Sequence, residues 1–220
     1  MKEIGLKNIE LLRVRDEGGA LTVGGSQYWY PKEGYIPQGA CGATTASNVL
    51  AYLLRSRPEL FAMAEKAGLD GLAGPVSVVE KAGYLEFMKK VYKFMYPRVG
   101  GLMSGGYLEG MAELAAAYGL PIEAERLHVP VSSMMRPKIE EAAAFIRVSL
   151  EDDLPVAFLV LTRGSEHSLD IWHWVTVTSF DDEAMVAAIA DNGKEYRADV
   201  RKWLDTSIMG GAFVRMRVPG

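Results

Sequence analysis

Apolar residues recur at spacings of three and four from Ala43 through Ala46, Val49, Leu50 and Leu53 to Leu54, which predicts a helix opening at Cys41 with a buried face. Turn formers Pro37, Gly39 and Gly42 lead into it. Arg57-Pro58 stops it, because a residue before proline avoids helical angles. The same reading gives a helix over 59–68 closed by Gly68, and one or two helices over 75–96 broken near Gly83 and stopped by Pro97. Further helices follow over Tyr107–Tyr118, closed by Gly119, and from Pro137 to about Leu150. The glycine-rich stretch Val99–Tyr107 reads as a connector, or as a loop at the edge of a cleft. The segment between Pro121 and Pro137, with His128, reads as a connector too.

From Pro155 the pattern changes. Pro155–Leu161 is a continuous apolar run, a buried strand. Trp172–Phe180 alternates and is rich in β-formers, and Ala184–Ala190 and Ala212–Val218 give two more strands around a helical turn at Asp199–Leu204. Helices first and strands later predict an α+β fold, not an alternating one. The expectation is a single domain over 1–220, with an irregular N-terminal segment (1–35), a helical half (36–150) and an antiparallel sheet half (151–220).

Composition narrows the function. A net charge of −4 with no basic block argues against nucleic acid as a partner. No apolar run approaches the ~20 residues of a membrane span, and the N-terminus lacks the apolar core of a signal peptide, so the expected location is cytoplasmic. A single cysteine excludes an intramolecular disulfide and the usual cysteine-rich zinc sites. His128, His167 and His173 have no metal-ligand spacing, and no phosphate-loop signature is present, so no cofactor is expected.

The chemistry gathers at Cys41. A thiol at a helix start faces unpaired N–H groups and the positive end of the helix dipole, a setting that favours the thiolate. A thiolate nucleophile needs a base, and the base an orienting group. His173, at the start of a strand between Trp172 and Trp174, is better placed than His167 in a polar loop or His128. If the turn Asp181-Asp182-Glu183 closes an unbulged hairpin centred on residue 182, facing residues have numbers summing to 364, which sets Asp191 opposite His173. A one-residue bulge would bring Asn192 or Ala190 instead. Asp191-Asn192-Gly193 also reads simply as a turn. The Cys41 N–H and the Gln38 amide could together hold an oxyanion. Tyr28, Trp29, Trp172 and Trp174 are candidates to line a substrate cleft.

Gln38-Gly-Ala-Cys41-Gly-Ala-Thr-Thr-Ala, His173-Trp-Val-Thr-Val-Thr and Asp191-Asn-Gly resemble the cysteine, histidine and aspartate boxes of papain-like cysteine peptidases, in particular the bacteriocin-processing (double-glycine leader) peptidase branch. The histidine follows the cysteine by 132 residues, within the ~130–150 of papain-type chains. The resemblance implies Cys41 as nucleophile, His173 as base, Asp191 as orienting acid and Gln38 as oxyanion donor. It also implies a cysteine-bearing helical half packed on a sheet carrying the other two. The family often has proline after the aspartate, where this chain has Asn192. The expected activity is hydrolysis of a peptide or amide bond. The alternatives are acyl transfer by the same triad, as in a transglutaminase-like enzyme, a catalytically inactive papain-like binding module, or a structural protein with an inert thiol.

Overall fold

The computed structural model describes residues 3–74, 78–96 and 101–219. The chain opens with three short strands, β1 (Glu3–Gly5), β2 (Arg13–Arg15) and β3 (Leu21–Val23), where the sequence reads as irregular. Helices α1 (Cys41–Ser56) and α2 (Pro58–Lys66) follow. Then come β4 (Val79–Glu80), α3 (Lys81–Tyr92) and α4 (Ser104–Tyr118). Next are β5 (Glu123–Val129), α5 (Ile139–Glu151), β6 (Val156–Val160), β7 (His173–Asp181) and β8 (Val186–Asp191). The chain ends with β9 (Lys194–Asp199), α6 (Val200–Thr206) and β10 (Gly211–Arg217).

The fold is α+β, with Cys41 on a helix and an antiparallel sheet built mainly from the C-terminal part of the chain. The order across the main sheet is β5-β10-β6-β7-β8-β9. β1 joins β7 where β6 leaves off, Gly5 opposite Ser179 just past Val156 opposite Val177. Side chains of the central strands alternate between two cores. Ala157, Leu159, Trp174, Ala212 and Val214 pack with α1, α3 and α4, while Phe158, Val160, Val175, Val177 and Phe213 pack with α5 and α6. The continuous apolar run of β6 follows from burial on both faces.

Four sequence expectations change. The Pro121–Pro137 segment contains β5, which pairs along β10 with Ala212 opposite His128. The Asn192-Gly193 turn closes a second hairpin, β8 to β9, with φ of 48° and 81°. Successive positive φ values define the two-residue turn that Asn-Gly favours. The glycines at 105 and 106 belong to the first turn of α4, which begins at Ser104 rather than Tyr107. Gly83 does not break α3 either. It lies where the helix meets Gly71, and a β-carbon there would stand 2.6 Å from the Gly71 carbonyl oxygen. The reading of 75–78 as helix and of Pro97 as a stop falls largely on residues outside those described.

The amphipathic α1 of the sequence is buried on nearly every side, from Cys41 to Arg55. Several of its polar residues are therefore bonded inward. Ser47 donates to the Ala43 carbonyl, and Arg55 to the carbonyls of Leu11, Ala73 and Gly74. Asn48 donates to Thr176 of β7 and accepts from Tyr84 of α3 and the Gly25 N–H. Such inward bonding is what makes a buried polar group tolerable. It also fixes α1 against β7, so that Cys41 and His173 are held by elements that cannot slide independently.

Candidate active site

Cys41 is the first residue of α1. Pro37–Gly39 forms a single helical turn just before it, bringing Gln38 to the mouth of the helix. Ala40, at the cap position, offers no side-chain acceptor, so the first-turn N–H groups keep their capacity to bind an oxygen. Gly42 lets the helix start lie close against the sheet side, since a β-carbon there would sit 2.7 Å from Leu102 and 3.3 Å from Trp174.

His173 opens β7, and its Nε2 lies 2.8 Å from Asp191 Oδ1 at the end of β8. That leaves Nδ1 for the sulfur, and His173 is also hydrogen-bonded to Cys41. Both Cys41 and His173 are 7 % exposed. Behind them Thr44, Asn48, Ala190 and Asn192 leave a gap of only about 10 Å³, at the lower limit of what holds a water. Burial alone pulls the His173 pKa down. Hydrogen bonds to Asp191 and Cys41, with the negative charge of both, outweigh it and push the value up to about 10. The ring therefore carries its proton at neutral pH.

The way Asp191 arrives differs from the unbulged hairpin expected. The loop joining β7 to β8 has four residues, with Asp181 opposite Val186, so its centre lies past residue 182. Thr178 is then an extra residue between the pairs Val177↔Ile189 and Ser179↔Ala188. Without that bulge, the longer loop would put Asp191 opposite Thr176, on the other face from His173, because a one-residue slip reverses every side chain. With it, the register continued past Thr176↔Ala190 sets Asp191 opposite Val175, diagonal to His173 and on its face.

A cleft of about 340 Å³ opens beside Cys41. Gln38, Gly39, Gly101, Leu102 and Met103 line one side, and Leu159, Leu161, Trp172 and Trp174 the other. Trp174 is buried, stacked on Tyr107 at 4.5 Å and donating its indole N–H to the Leu102 carbonyl. Trp172 is 49 % exposed with a φ of 52°, a left-handed conformation that costs a bulky residue energy. Tyr28 and Trp29 do not line the cleft. Tyr28 points to solvent, and Trp29 packs edge-on against Tyr84 beneath the Lys81 ammonium. Their place in the sequence just before the cysteine helix suggested a cleft wall, but the turn at Gln27–Trp29 directs Trp29 into the helical core instead. His128 and His167 are exposed and line neither the cleft nor the gap behind Cys41.

Leu102 lies in the glycine-rich stretch that reads as a connector or a cleft edge, but sequence reasoning missed two other aliphatic walls, Leu159 and Leu161, which read as part of a buried strand. It also missed Asp170, which brings a carboxylate oxygen within 4.8 Å of the His173 and Asp191 ligand atoms. These three could surround a cation, but a ring that holds its proton and already bonds Asp191 suits a proton better than a metal ion. A separate hollow of about 400 Å³, between Arg57, Asp152, Arg215 and Arg217, shares no residue with the cleft. Two of its guanidinium groups are committed, Arg57 to the Asp152 carbonyl and Arg215 to Glu125.

Among known proteins, no family model and no curated protein matches the chain. Among solved structures it is similar to the crystal structure of the peptidase domain of Streptococcus ComA, a bi-functional ABC transporter involved in a quorum-sensing pathway. The identity is 13 % and the TM-score 0.40, over 84 % of this chain and 95 % of that one. A superposition that loose says nothing about chemistry. Among the described residues, no helix is long and apolar enough to cross a membrane.

Proposed function

We propose that the chain is a papain-like thiol hydrolase that cleaves a peptide or amide bond through an acyl-enzyme on Cys41. The observation that carries the reading is the His173 imidazole held by Asp191 at 2.8 Å on one nitrogen and set beside Cys41, at the edge of an apolar cleft. An imidazolium beside a thiol favours the thiolate. The sulfur attacks the substrate carbonyl, and the oxyanion is held by the Cys41 N–H and the Gln38 amide. The C–N bond breaks as His173 Nδ1 gives its proton to the leaving amine. His173 then takes a proton from water, which attacks the thioester, and the carboxylic acid leaves as the thiolate beside the imidazolium is restored. Asp191 keeps the ring oriented and offsets its positive charge.

The test is to incubate the protein with a mixed peptide library and read the products by mass spectrometry. Wild type should cleave a subset of the peptides and transiently carry an acyl adduct on Cys41. Cys41→Ala should be inactive with an unchanged circular-dichroism spectrum. Cleavage by Cys41→Ala at the wild-type rate would overturn the reading. Products joined to an added amine in preference to water would favour acyl transfer over hydrolysis.

A further inference from the structure

Asn192 sits in the β8–β9 turn and touches three groups at once. Its side-chain Oδ1 accepts from the Gln27 backbone N–H at 3.1 Å and the Ser26 hydroxyl at 3.2 Å. Its Nδ2 donates to Asp191 Oδ1 at 2.9 Å, the same oxygen that meets His173 Nε2. The amide can point only this way, since a backbone N–H only donates and a carboxylate only accepts. Next to it, the Val23 N–H donates to the Gly193 carbonyl. The Gly25 N–H donates to Asn48, which also holds Thr176 of β7. Residues 23–27 of the N-terminal segment are therefore tied both to the turn bearing the acid and to α1, which bears the thiol.

We infer that Asn192 is a positioning residue, whose amide fixes the Asp191 carboxylate against His173 and anchors it to the N-terminal segment. With Asn192 Nδ2 and His173 Nε2 both on Asp191 Oδ1, the carboxylate is held against rotation about its Cβ–Cγ bond. The backbone asks for a residue that tolerates a φ of 48°, which asparagine and glycine both do. Proline, fixed near −65°, could not enter this conformation and has no side-chain donor. The assignment rests on the reading of Cys41, His173 and Asp191 as the working site.

The experiment is an NMR titration of the His173 imidazole in wild type, Asn192→Gly, Asp191→Asn and the double variant. The groups facing that ring are Cys41 from α1, Asp191 from β8 and Asp170 from the loop before β7. Glycine keeps the turn, so the side chain is lost without disturbing the hairpin. Asn192→Gly should lower the His173 midpoint by about half a unit to one unit, the scale of one typical hydrogen bond. In the Asp191→Asn background the same substitution should do nothing further. An unchanged midpoint in Asn192→Gly, or an equal shift in both backgrounds, would overturn the inference. Wild-type protein without turnover would sink the hydrolase reading instead, and would not move the titration.

Discussion

The pair that matters most is His173 and Asp191, 2.8 Å apart at the ends of neighbouring strands. In the mechanism we propose, the carboxylate orients the ring and offsets its charge, whereas the ring itself transfers the proton. Removing them should therefore have unequal effects. His173→Ala should lower kcat/KM on the order of 10³-fold, within the usual range for a general acid–base residue. Asp191→Asn should cost roughly ten-fold less, because a buried imidazole bonded to Cys41 keeps part of its placement. Steady-state rates on one peptide substrate decide this, and equal losses would mean that Asp191 does more than orient. Gln38 is exposed beside Cys41 with its amide free to turn toward a bound carbonyl. If it supplies an oxyanion donor, Gln38→Ala should reduce kcat by about 10²-fold with little change in KM.

Elements with a strong apolar period were legible in the sequence, and those without one were not. α1, α5 and β6 are long, periodic or continuously apolar, and their bounds agree with expectation within one or two residues. β5 and β9 were invisible because they are the sheet's edges. Glu-Ala-Glu-Arg-Leu-His-Val and Lys-Glu-Tyr-Arg-Ala-Asp carry charge along most of their length, as edge strands do, and each pairs with one neighbour, β10 or β8. The one signal that could have found β9 is the Asn-Gly dipeptide, a strong hairpin former that reads in the sequence only as a turn. Thr178 shows the opposite limit. Its bulge and the four-residue loop each shift the register, and together they preserve the face that a simple turn predicted. Gly83 is a place where local propensity misleads. In an open helix Gly→Ala gains about 1 kcal/mol. Here the new methyl meets the Gly71 carbonyl, so Gly83→Ala should destabilise the protein by about 1–3 kcal/mol. Urea denaturation measures this, and a gain in stability would show that the α3–Gly71 contact yields.

Across the whole molecule, two cores on opposite faces of one sheet hold α1 and β7 in fixed relation, and the thiol and imidazole meet at the sheet's end. That arrangement links folding to protonation. His173 is raised from 6.5 to about 10 in the folded protein. A group raised on folding adds stability that is full below its unfolded pKa and is lost as pH climbs through the folded value. The stability advantage of wild type over Asp191→Asn should thus be largest below pH ~6.5 and shrink on approach to pH 10. Denaturant midpoints across that window check it, and a constant difference would contradict it. The proposed mechanism requires Cys41 and His173 to work as an ion pair, and the rate of Cys41 alkylation by iodoacetamide against pH reads that pairing. With one cysteine in the chain, intact mass reads the reaction without ambiguity. Fast modification that persists well below the ~8.5 of a free thiol, and is lost in His173→Ala, is the predicted result. Slow modification with an ordinary thiol profile, unchanged in the variant, would contradict the account.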